Sequence, residues 1–463
     1  MWRKFKNKYI GDKDFYKHIM YLAIPMIIQN AITSFVSFLD NMMVGRIGTE
    51  QMTGVAIVNQ LIFVFSICIF GGVSGAGIFG TQYYGNGDYK GQKYAFRFKM
   101  YICLLITAVA ALLFKFYGRN LISLYLNDSG DVGNIDIALK YGEEYLAVII
   151  IGLIPFAIAQ AYINSIRETG HTLVPMIAGV VAVAVNLLLD IVLIFGYLGC
   201  PKMGVVGAAI ATVIARYVEC IIVILWTHFN KDKNKFIEGA YKSPYIPKKV
   251  LKNIIIKGTP LMVNELLWAT GMTVIVQCYA VRGLEVVAAV NISSTITNLF
   301  NIVYIQLGSC IAIVAGQLLG AGKVEKAKDS VHKMLFFSVA CCAVVALMMI
   351  AVGQYFPNLY KTEDVIKKLA TNFIIVSAAV MPLCAYSHGA YFTLRSGGKT
   401  VITFLFDSVY TWVIMIPIAF LLANKTVLPI TAVFFLVQFT EIFKVIIGHF
   451  MIRSEIWIQN IVN

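Results

Sequence analysis

Apolar runs recur along the whole chain, and each is about 20 residues or longer, enough to cross a hydrocarbon core roughly 30 Å thick as a helix. Hydrophobic residues make up 59% of the 463 residues and charged residues only 13%. Soluble domains average roughly 45–50% apolar and about 25% charged residues. We therefore predict an all-α integral membrane protein. Its twelve transmembrane helices are expected at 17–43, 52–80, 95–117, 136–160, 173–198, 204–229, 254–281, 286–319, 331–356, 367–393, 400–423 and 429–452.

The segment 25–87 recurs at 260–322 without a gap. The matched pairs are Pro25 and Pro260, Gly48 and Gly283, Glu50 and Glu285, Phe65 and Phe300, Ser74 and Ser309, Gln82 and Gln317, Gly85 and Gly320, and Gly87 and Gly322. Many secondary transporters are built from duplicated membrane halves. We predict two pseudo-twofold related six-helix lobes with a central cavity. The N-terminal lobe would span 1–229, a cytoplasmic basic loop 230–253 and the C-terminal lobe 254–463.

Lysine and arginine are concentrated in segments that share one side of the membrane if both termini are cytoplasmic. The richest are the inter-lobe loop and the paired loops that hold Lys93 and Lys328. Basic loops are retained on the cytoplasmic side, so we expect a multi-pass protein of a bacterial-type inner membrane. This topology explains the net charge of +14 without nucleic acid. The expected macromolecular partner is membrane lipid alone, with the chain a monomer.

Two acidic residues in the predicted spans have a basic residue nearby on the same helix. Arg216 stands three residues before Glu219, and Lys444 stands three residues after Glu441. Residues at this spacing are neighbours on a helix face. We therefore predict local ion pairs at both positions.

Four further acidic residues, Asp40, Asp190, Glu265 and Asp407, have no basic residue predicted beside them in the spans. An ionised carboxylate at the centre of a membrane helix costs about 2.5–3.5 kcal/mol on insertion scales, so such residues are functional candidates. We expect these four to be protonated, hydrated or matched by a bound cation. The alternative is that some lie near an interface or are neutral acids hydrogen-bonded to a neighbour.

In the first half, Asn186 and Asp190 share one face of the fifth helix at i, i+4 spacing. Their oxygen atoms could meet Asp40 of the first helix and the hydroxyl group of Thr212. Monovalent cations and protons are bound by such oxygen clusters. We predict a coupling site for H+ or Na+ at these four residues, with no other metal and no organic cofactor.

In the second half, polar side chains form a stripe on the eighth helix, in which Asn291, Thr295 and Asn298 follow helical spacing. The stripe favours a wet cavity near Glu265, with hydrogen bonding between helices as the alternative. Aromatic rings and thioethers lie beside two carboxylates of this half and suit an organic cation. The candidates for the substrate cavity are Glu265, Trp268, Met272, Asn291, Asn298, Asp407 and Trp412.

Pro25 and Pro260 occupy matched positions just inside the first helix of each half. A proline removes a backbone donor and kinks a helix. We predict that both are hinges, and that bending of the first helix would move Asp40 relative to the fifth helix. The glycines at 75, 77 and 80 satisfy GxGxxG, but no strand precedes them, so we interpret them as a site of close helix packing.

The chain resembles the multidrug and toxic compound extrusion (MATE) family of secondary antiporters, and among them the DinF-like bacterial branch. The resembling segments are Leu39–Gly48, Gln82–Gly87, Arg167–Pro175 with its echo Arg395–Thr400, Asn186–Gly196 and Gly204–Thr212. The resemblance implies export of amphipathic, often cationic small molecules in exchange for H+ or Na+ by alternating access between two lobes. A membrane-embedded enzyme or receptor would need a nucleophile with a base, metal ligands or a sizeable extramembrane domain, and none is apparent in the sequence, so we expect no enzymatic activity. The acidic site of that branch maps onto Asp40, Asn186, Asp190 and Thr212.

One position departs from the family pattern. Other branches place a glutamate eight residues after the proline of the seventh helix, where this chain has Trp268, and here Glu265 follows Pro260 by five residues. The role of that glutamate is therefore not carried over to Glu265. The alternative function is a flippase of the same superfamily for a lipid-linked or other anionic head group, which should show unpaired arginine or lysine in its cavity.

Overall fold

The computed structural model describes residues 9–127 and 134–462. Within them, twelve helices are long and apolar enough to cross a membrane, which confirms the predicted all-α membrane fold. Numbered in chain order, they are α1 Lys13–Gly45, α2 Thr49–Asn86, α3 Tyr89–Asn127, α4 Ile135–Glu168, α5 Leu173–Phe195, α6 Gly204–Phe229, α7 Lys248–Ala280, α8 Leu284–Gly320, α9 Val324–Gly353, α10 Asp364–Ser396, α11 Thr400–Lys425 and α12 Ile430–Arg453. No strand occurs in the described ranges.

Several helices extend beyond the apolar runs or contain irregular turns. Helix α3 begins at Tyr89 and α10 continues to Ser396, so polar residues assigned to loops from hydropathy are helical. A 3₁₀ turn at Ile150–Gly152 interrupts α4, and π turns at Leu405–Val409 and Thr411–Met415 interrupt α11. Within a bilayer the backbone must satisfy its own hydrogen bonds, which favours continuing the helix over opening a loop. π turns inside α-helices are frequent at functional sites.

The chain forms two compact units. The amino-terminal unit contains Ile24–Gly80 and Tyr89–Ile254, and the carboxy-terminal unit contains the chain up to Ala23, Thr81–Asp88 and the chain from Ile255 onward. The first turns of α1 therefore belong to the carboxy-terminal unit, and the first turns of α7 to the amino-terminal unit. The predicted lobes at 1–229 and 254–463, with the loop at 230–253, are continuous stretches of sequence and stay a prediction. The packed units are not continuous in sequence.

A buried ion pair lies in the amino-terminal unit where α2, α3 and α4 meet. Lys99 is fully buried, and its ammonium group contacts the Glu168 carboxylate and lies 3.0 Å from Ser165 Oγ. A Cβ atom at Gly77 or Gly80 of α2 would meet the Glu168 carboxylate. The glycines thus provide the space for the α4 side chain, in agreement with the predicted close packing.

Two matched glycines meet in the carboxy-terminal unit, where the end of α2 lies against the end of α8. A Cβ atom at Gly85 would clash with the backbone carbonyl of Gln317, and one at Gly320 would clash with the carbonyl of Gln82. These four residues are two pairs of repeat partners, so the same contact is made twice. The Gln82 amide also donates to the carbonyls of Ser396, at 2.9 Å, and Gln459, at 3.1 Å.

We expect Gly85→Ala and Gly320→Ala each to lower the free energy of unfolding by about 1–3 kcal/mol, because the added methyl group meets backbone atoms that cannot rotate away. Thermal unfolding of the purified protein in detergent measures the loss. Gly45→Ala is the control, since its nearest neighbour there is the Met52 sulfur atom, 3.1 Å away at the end of a flexible side chain. Equal melting temperatures for all three variants would show that the crossing tolerates a side chain.

Candidate functional site

A cavity of about 280 Å³ lies inside the amino-terminal unit and contains three of the four residues predicted for the coupling site. Asp40 comes from the last turns of α1, Asp190 from α5 and Thr212 from α6. Three helices that are separate in sequence thus bring the predicted oxygen atoms together. The full lining is Ser37, Asp40, Val44, Val55, Asn59, Ile62, Phe63, Ser66, Tyr145, Ile149, Asp190, Ala208, Thr212 and Arg216.

The two carboxyl groups are neighbours whose oxygen atoms are largely unsatisfied. Asp190 is only 1% exposed, and the side chains of Asp40 and Asp190 interact directly. In the described residues, Asp40 Oδ1 and both oxygen atoms of Asp190 are buried without a hydrogen-bond donor. Buried polar groups are nearly always hydrogen-bonded, so three unsatisfied carboxylate oxygen atoms in one cavity are an exception.

Asn186 and Thr212 take different positions around this pair. Thr212 lines the cavity and donates its hydroxyl hydrogen to the Ala208 carbonyl at 3.0 Å, which leaves its oxygen lone pairs available. Asn186 lies one turn before Asp190 on α5 and is buried behind the lining, where its Nδ2 atom has no acceptor in the described structure. The structure therefore brings Asp40, Asp190 and Thr212 into one cavity and leaves Asn186 outside it.

Arg216 is the main member of this site that sequence reasoning missed. Its guanidinium group lines the cavity, lies 5.2 Å from the centre of the Phe156 ring and has an Nη1 atom without an acceptor in the described residues. Arg216 and Glu219 interact electrostatically but form no close ion pair, so the predicted local pair was wrong. Arg216 lines the cavity that holds Asp40 and Asp190 but forms no ion pair with either carboxylate in the described residues.

In the carboxy-terminal unit, Asp407 is already paired. Lys444 Nζ of α12 lies 2.9 Å from Asp407 Oδ1, and Asn264 Nδ2 of α7 lies 3.1 Å from Oδ2. Lys444 also lies 3.5 Å from Glu441, which confirms that predicted ion pair. The prediction that Asp407 lacks a basic partner was wrong, because one lysine serves two carboxylates from two helices.

Glu265 also has a basic neighbour. The Tyr391 hydroxyl donates to Glu265 Oε1 at 3.3 Å, and Arg395 Nη1 lies 3.8 Å from the same oxygen atom. Sequence reasoning placed Arg395 in a loop, whereas α10 continues past it to Ser396. The expectation of an unaccompanied Glu265 was therefore wrong.

The first π turn of α11 places Asp407 in this network. Asn264 accepts from the Ser408 backbone N–H at 3.2 Å and from the Ser408 hydroxyl at 2.7 Å, while its amide donates to Asp407. The widened turn is thus fixed to α7 through one asparagine side chain. Asn264 is next to Glu265 in sequence, and this adjacency is the one signal that could have indicated its role.

The remaining candidates of the second half fall into two groups. Trp268 is 36% exposed and Trp412 39% exposed, and the Trp412 indole donates to the Leu267 carbonyl at 2.9 Å. Asn291 and Asn298 on α8 are exposed and form no hydrogen bond to another helix in the described structure. Met272 instead packs against an apolar core. All of these residues except Met272 are exposed, and the wet cavity near Glu265 stays a prediction.

A comparison with known protein families matches this chain to one family model. The MatE family model matches residues 25–192 and 260–421. The two matches begin at the repeated prolines, and together they cover well over half of the sequence. The chain belongs to the MatE family. As a MatE protein it is a multi-pass membrane protein of a family whose relatives are transporters.

Curated relatives of this MatE protein cover most of its length. The probable multidrug resistance protein NorM of Thermotoga maritima is 22% identical over 88% of this chain and 86% of its own. The probable multidrug resistance protein YoeA of Bacillus subtilis is 21% identical over 89% of this chain and 87% of its own.

Solved structures show the same fold. An outward-facing multidrug resistance MATE family transporter of the MOP superfamily superposes with a TM-score of 0.84 at 19% identity, over 96% of both chains. Structures described as MATE in the bent and in the straight conformation each give a TM-score of 0.84 over 96% of this chain, at 19% and 20% identity. They cover 95% and 96% of those chains.

A larger cavity of about 490 Å³ in the carboxy-terminal unit of the MatE protein contains none of the predicted site residues. It is mostly apolar and aromatic, with two histidines and one arginine at its edge. Its lining is Tyr9, His332, Leu335, Phe336, Val339, Tyr386, His449, Ile452 and Arg453.

We expect Lys444→Met to lower the free energy of unfolding of this MatE protein by about 3–5 kcal/mol, because it leaves Asp407 and Glu441 buried without their cation. The double variant Lys444→Met/Asp407→Asn should recover part of the loss, since one stranded charge is removed with its partner. Thermal unfolding in detergent measures both. Lys367→Met is the control, as Lys367 pairs with the exposed Asp364. Additive losses in the double variant would exclude a direct Asp407–Lys444 interaction.

Proposed function

We propose that this MatE protein is a secondary antiporter of a bacterial inner membrane, with both termini cytoplasmic. It exports amphipathic, often cationic small molecules in exchange for H+ or Na+ by alternating access. The observation that carries the proposal is the pair Asp40 and Asp190, which share one cavity with unsatisfied buried oxygen atoms. The names of the curated relatives, which are multidrug resistance proteins, support the class of cargo.

The charge around the cavity supports exchange with a cation. Two adjacent carboxylates share the cavity with one guanidinium group, that of Arg216, so one positive charge is missing when both are ionised. A proton or a sodium ion supplies that charge. The oxygen atoms of Ser37, Asn59 and Thr212 also line the cavity and are further ligands for a sodium ion. The transmembrane potential adds about 2.3 kcal/mol per charge for each 100 mV.

The first helix connects this site to a conformational change. Pro25 lies inside α1, whose first turns up to Ala23 belong to the carboxy-terminal unit, whereas Asp40 belongs to the amino-terminal unit. A bend at Pro25 therefore changes the direction of the part of α1 that holds Asp40 relative to the turns before Ala23. Occupation of the Asp40 carboxylate would favour one of these paths, and cargo would be released in the state so reached.

The second half takes the cargo-facing role in this proposal. Asp407 and Glu265 are matched by Lys444 and Arg395, which leaves them less suited than Asp40 and Asp190 to bind a mobile ion. The exposed Trp268 and Trp412 rings offer cation–π surfaces. The polar stripe at Asn291 and Asn298 keeps the surrounding volume wet.

One observation favours a second function. The Nη1 atom of Arg216 is buried in the cavity without an acceptor in the described residues, and an unpaired arginine is what a flippase for an anionic head group requires. A flippase would translocate a fluorescent lipid with an anionic head group across the membrane of vesicles to which no ion gradient is applied. Such activity, together with no cation uptake, would favour this alternative.

The deciding experiment is uptake of a fluorescent organic cation into vesicles that contain the protein, under an imposed pH gradient and separately under an imposed Na+ gradient. We expect uptake to follow one of the two gradients and to fall to background in Asp40→Asn and Asp190→Asn, because a neutral amide can neither take up a proton nor attract an ion. Asp136→Asn, which changes an exposed carboxylate at the start of α4, should transport normally. Uptake driven by ATP alone, or normal transport in Asp40→Asn, would refute the proposed mechanism.

We expect Pro25→Ala to slow cation uptake while the melting temperature stays equal or rises, since alanine restores the missing backbone donor and straightens the helix. Uptake rate and thermal unfolding are measured on the same preparation. Pro175→Ala is the matched control, because Pro175 lies in the first turn of α5, where a proline costs little. A fast Pro25→Ala transporter would remove the hinge from the mechanism.

A further inference from the structure

The segment between α6 and α7 is a folded platform attached to the amino-terminal unit. Arg97 of α3 donates to three backbone carbonyls of the segment, those of Gly239 at 2.9 Å, Ala240 at 2.7 Å and Tyr245 at 2.7 Å. The Tyr101 hydroxyl of the same helix donates to the Pro244 carbonyl at 3.0 Å. A basic loop that served only to fix topology would need none of these contacts.

Two lysines converge on this platform. The backbone of Gly239 is left-handed, with φ of +67°, and a Cβ atom built there would be in ordinary contact with both lysine side chains. That position lies 3.7 Å from Lys93 Nζ and 3.5 Å from Lys242 Cδ. Neither lysine forms an ion pair with an acidic residue in the described parts of the chain. This holds although Glu238 directly precedes Gly239 in the sequence. Both lysine side chains therefore lie beside Gly239 without a carboxylate partner in the described residues.

The repeat supplies an internal comparison. Lys328 of α9 is the repeat partner of Lys93, and it lies 2.9 Å from Glu325 and 2.8 Å from Glu455. In one copy the lysine is neutralised by two carboxylates of the protein itself. In the other copy it lies beside Gly239 without an acidic partner in the described residues, which leaves it available to an anion from outside the chain.

The position of the platform indicates which anion this is. It joins the end of one membrane-spanning helix at Phe229 to the start of the next at Lys248, and it lies on the first turns of a third. Its exposed aromatic side chains include Phe229, Tyr241 and Tyr245. Tyrosines of this kind lie at the level of lipid head groups, and lysine clusters next to membrane helices bind anionic lipids.

We propose that Lys93 and Lys242, held over Gly239 by the Arg97 contacts, bind the phosphate of an anionic phospholipid head group. Lys235 borders the same segment, with its ammonium group 4.7 Å from the centre of the Tyr89 ring. This site is independent of the coupling cavity and of the transported cargo. It fixes a lipid at the connection between α6 and α7.

The test is native mass spectrometry of the purified full-length protein titrated with phosphatidylglycerol or phosphatidylcholine. We expect preferential binding of phosphatidylglycerol, and in Lys93→Gln/Lys242→Gln a loss of about thirtyfold in affinity, given roughly one kcal/mol for each of the two lysines at a lipid surface. The control Lys248→Gln/Lys249→Gln removes the same charge from exposed positions of the neighbouring helix start and should bind as the wild type does. Lys328→Gln should also bind normally.

Three outcomes would overturn the proposal. Equal losses in both double variants would show diffuse attraction by the basic segment. Equal binding of the two lipids, which both carry a phosphate, would show that the net negative charge of the head group is not recognised. Displacement of phosphatidylglycerol by inorganic phosphate at the same concentration would assign the site to a free anion. Unchanged thermal unfolding of all variants shows that each comparison is made between folded proteins.

Discussion

Compensation of charge inside an apolar scaffold is the constraint on which this structure depends. A carboxylate in a membrane helix must be neutralised, hydrated or paired. Among the described buried carboxylates and the cations that interact with them, each unit has one more carboxylate than cations, so each retains one negative charge if all are ionised. In the amino-terminal unit they are Asp40, Glu168, Asp190 and Glu219 with Lys99, Arg167 and Arg216. In the carboxy-terminal unit they are Glu265, Asp407 and Glu441 with Arg395 and Lys444.

The two copies keep a shared frame but place their carboxylates differently. Gln29 corresponds to Asn264 across the repeat, and each binds a polar partner from the same copy: Arg167 donates to Gln29 at 2.6 Å, and Asn264 donates to Asp407. The segment that begins at Arg395 resembles the segment that begins at Arg167. In this alignment Asp407 corresponds to Gly179, and Gly179 packs against Gln29. Both halves thus have a hydrogen-bonding amide side chain at this position, whereas Asp407 of the second half has no acidic equivalent in the first.

The sequence predicted the helices well because burial in lipid depends on composition along the chain. It also predicted that Asp40, Asp190 and Thr212 meet, since helical spacing and one resemblance restricted their positions. Cations that approach from another helix could not be predicted in this way. Lys444 was assigned to Glu441 by local spacing and reaches Asp407 by lateral packing, and Arg395 was placed in a loop although α10 extends beyond the apolar run. Lateral contacts of this kind leave no periodic trace in one sequence.

The glycine crossing at Gly85 and Gly320 limits how the copies can diverge. The contact is self-complementary, so the glycine of each copy lies on the backbone of the other, and neither copy can acquire a larger residue there without displacing its counterpart. Most polar positions face no such reciprocal requirement. A duplicated chain of this design can therefore specialise one half for ions and the other for cargo while its crossing point stays fixed in both.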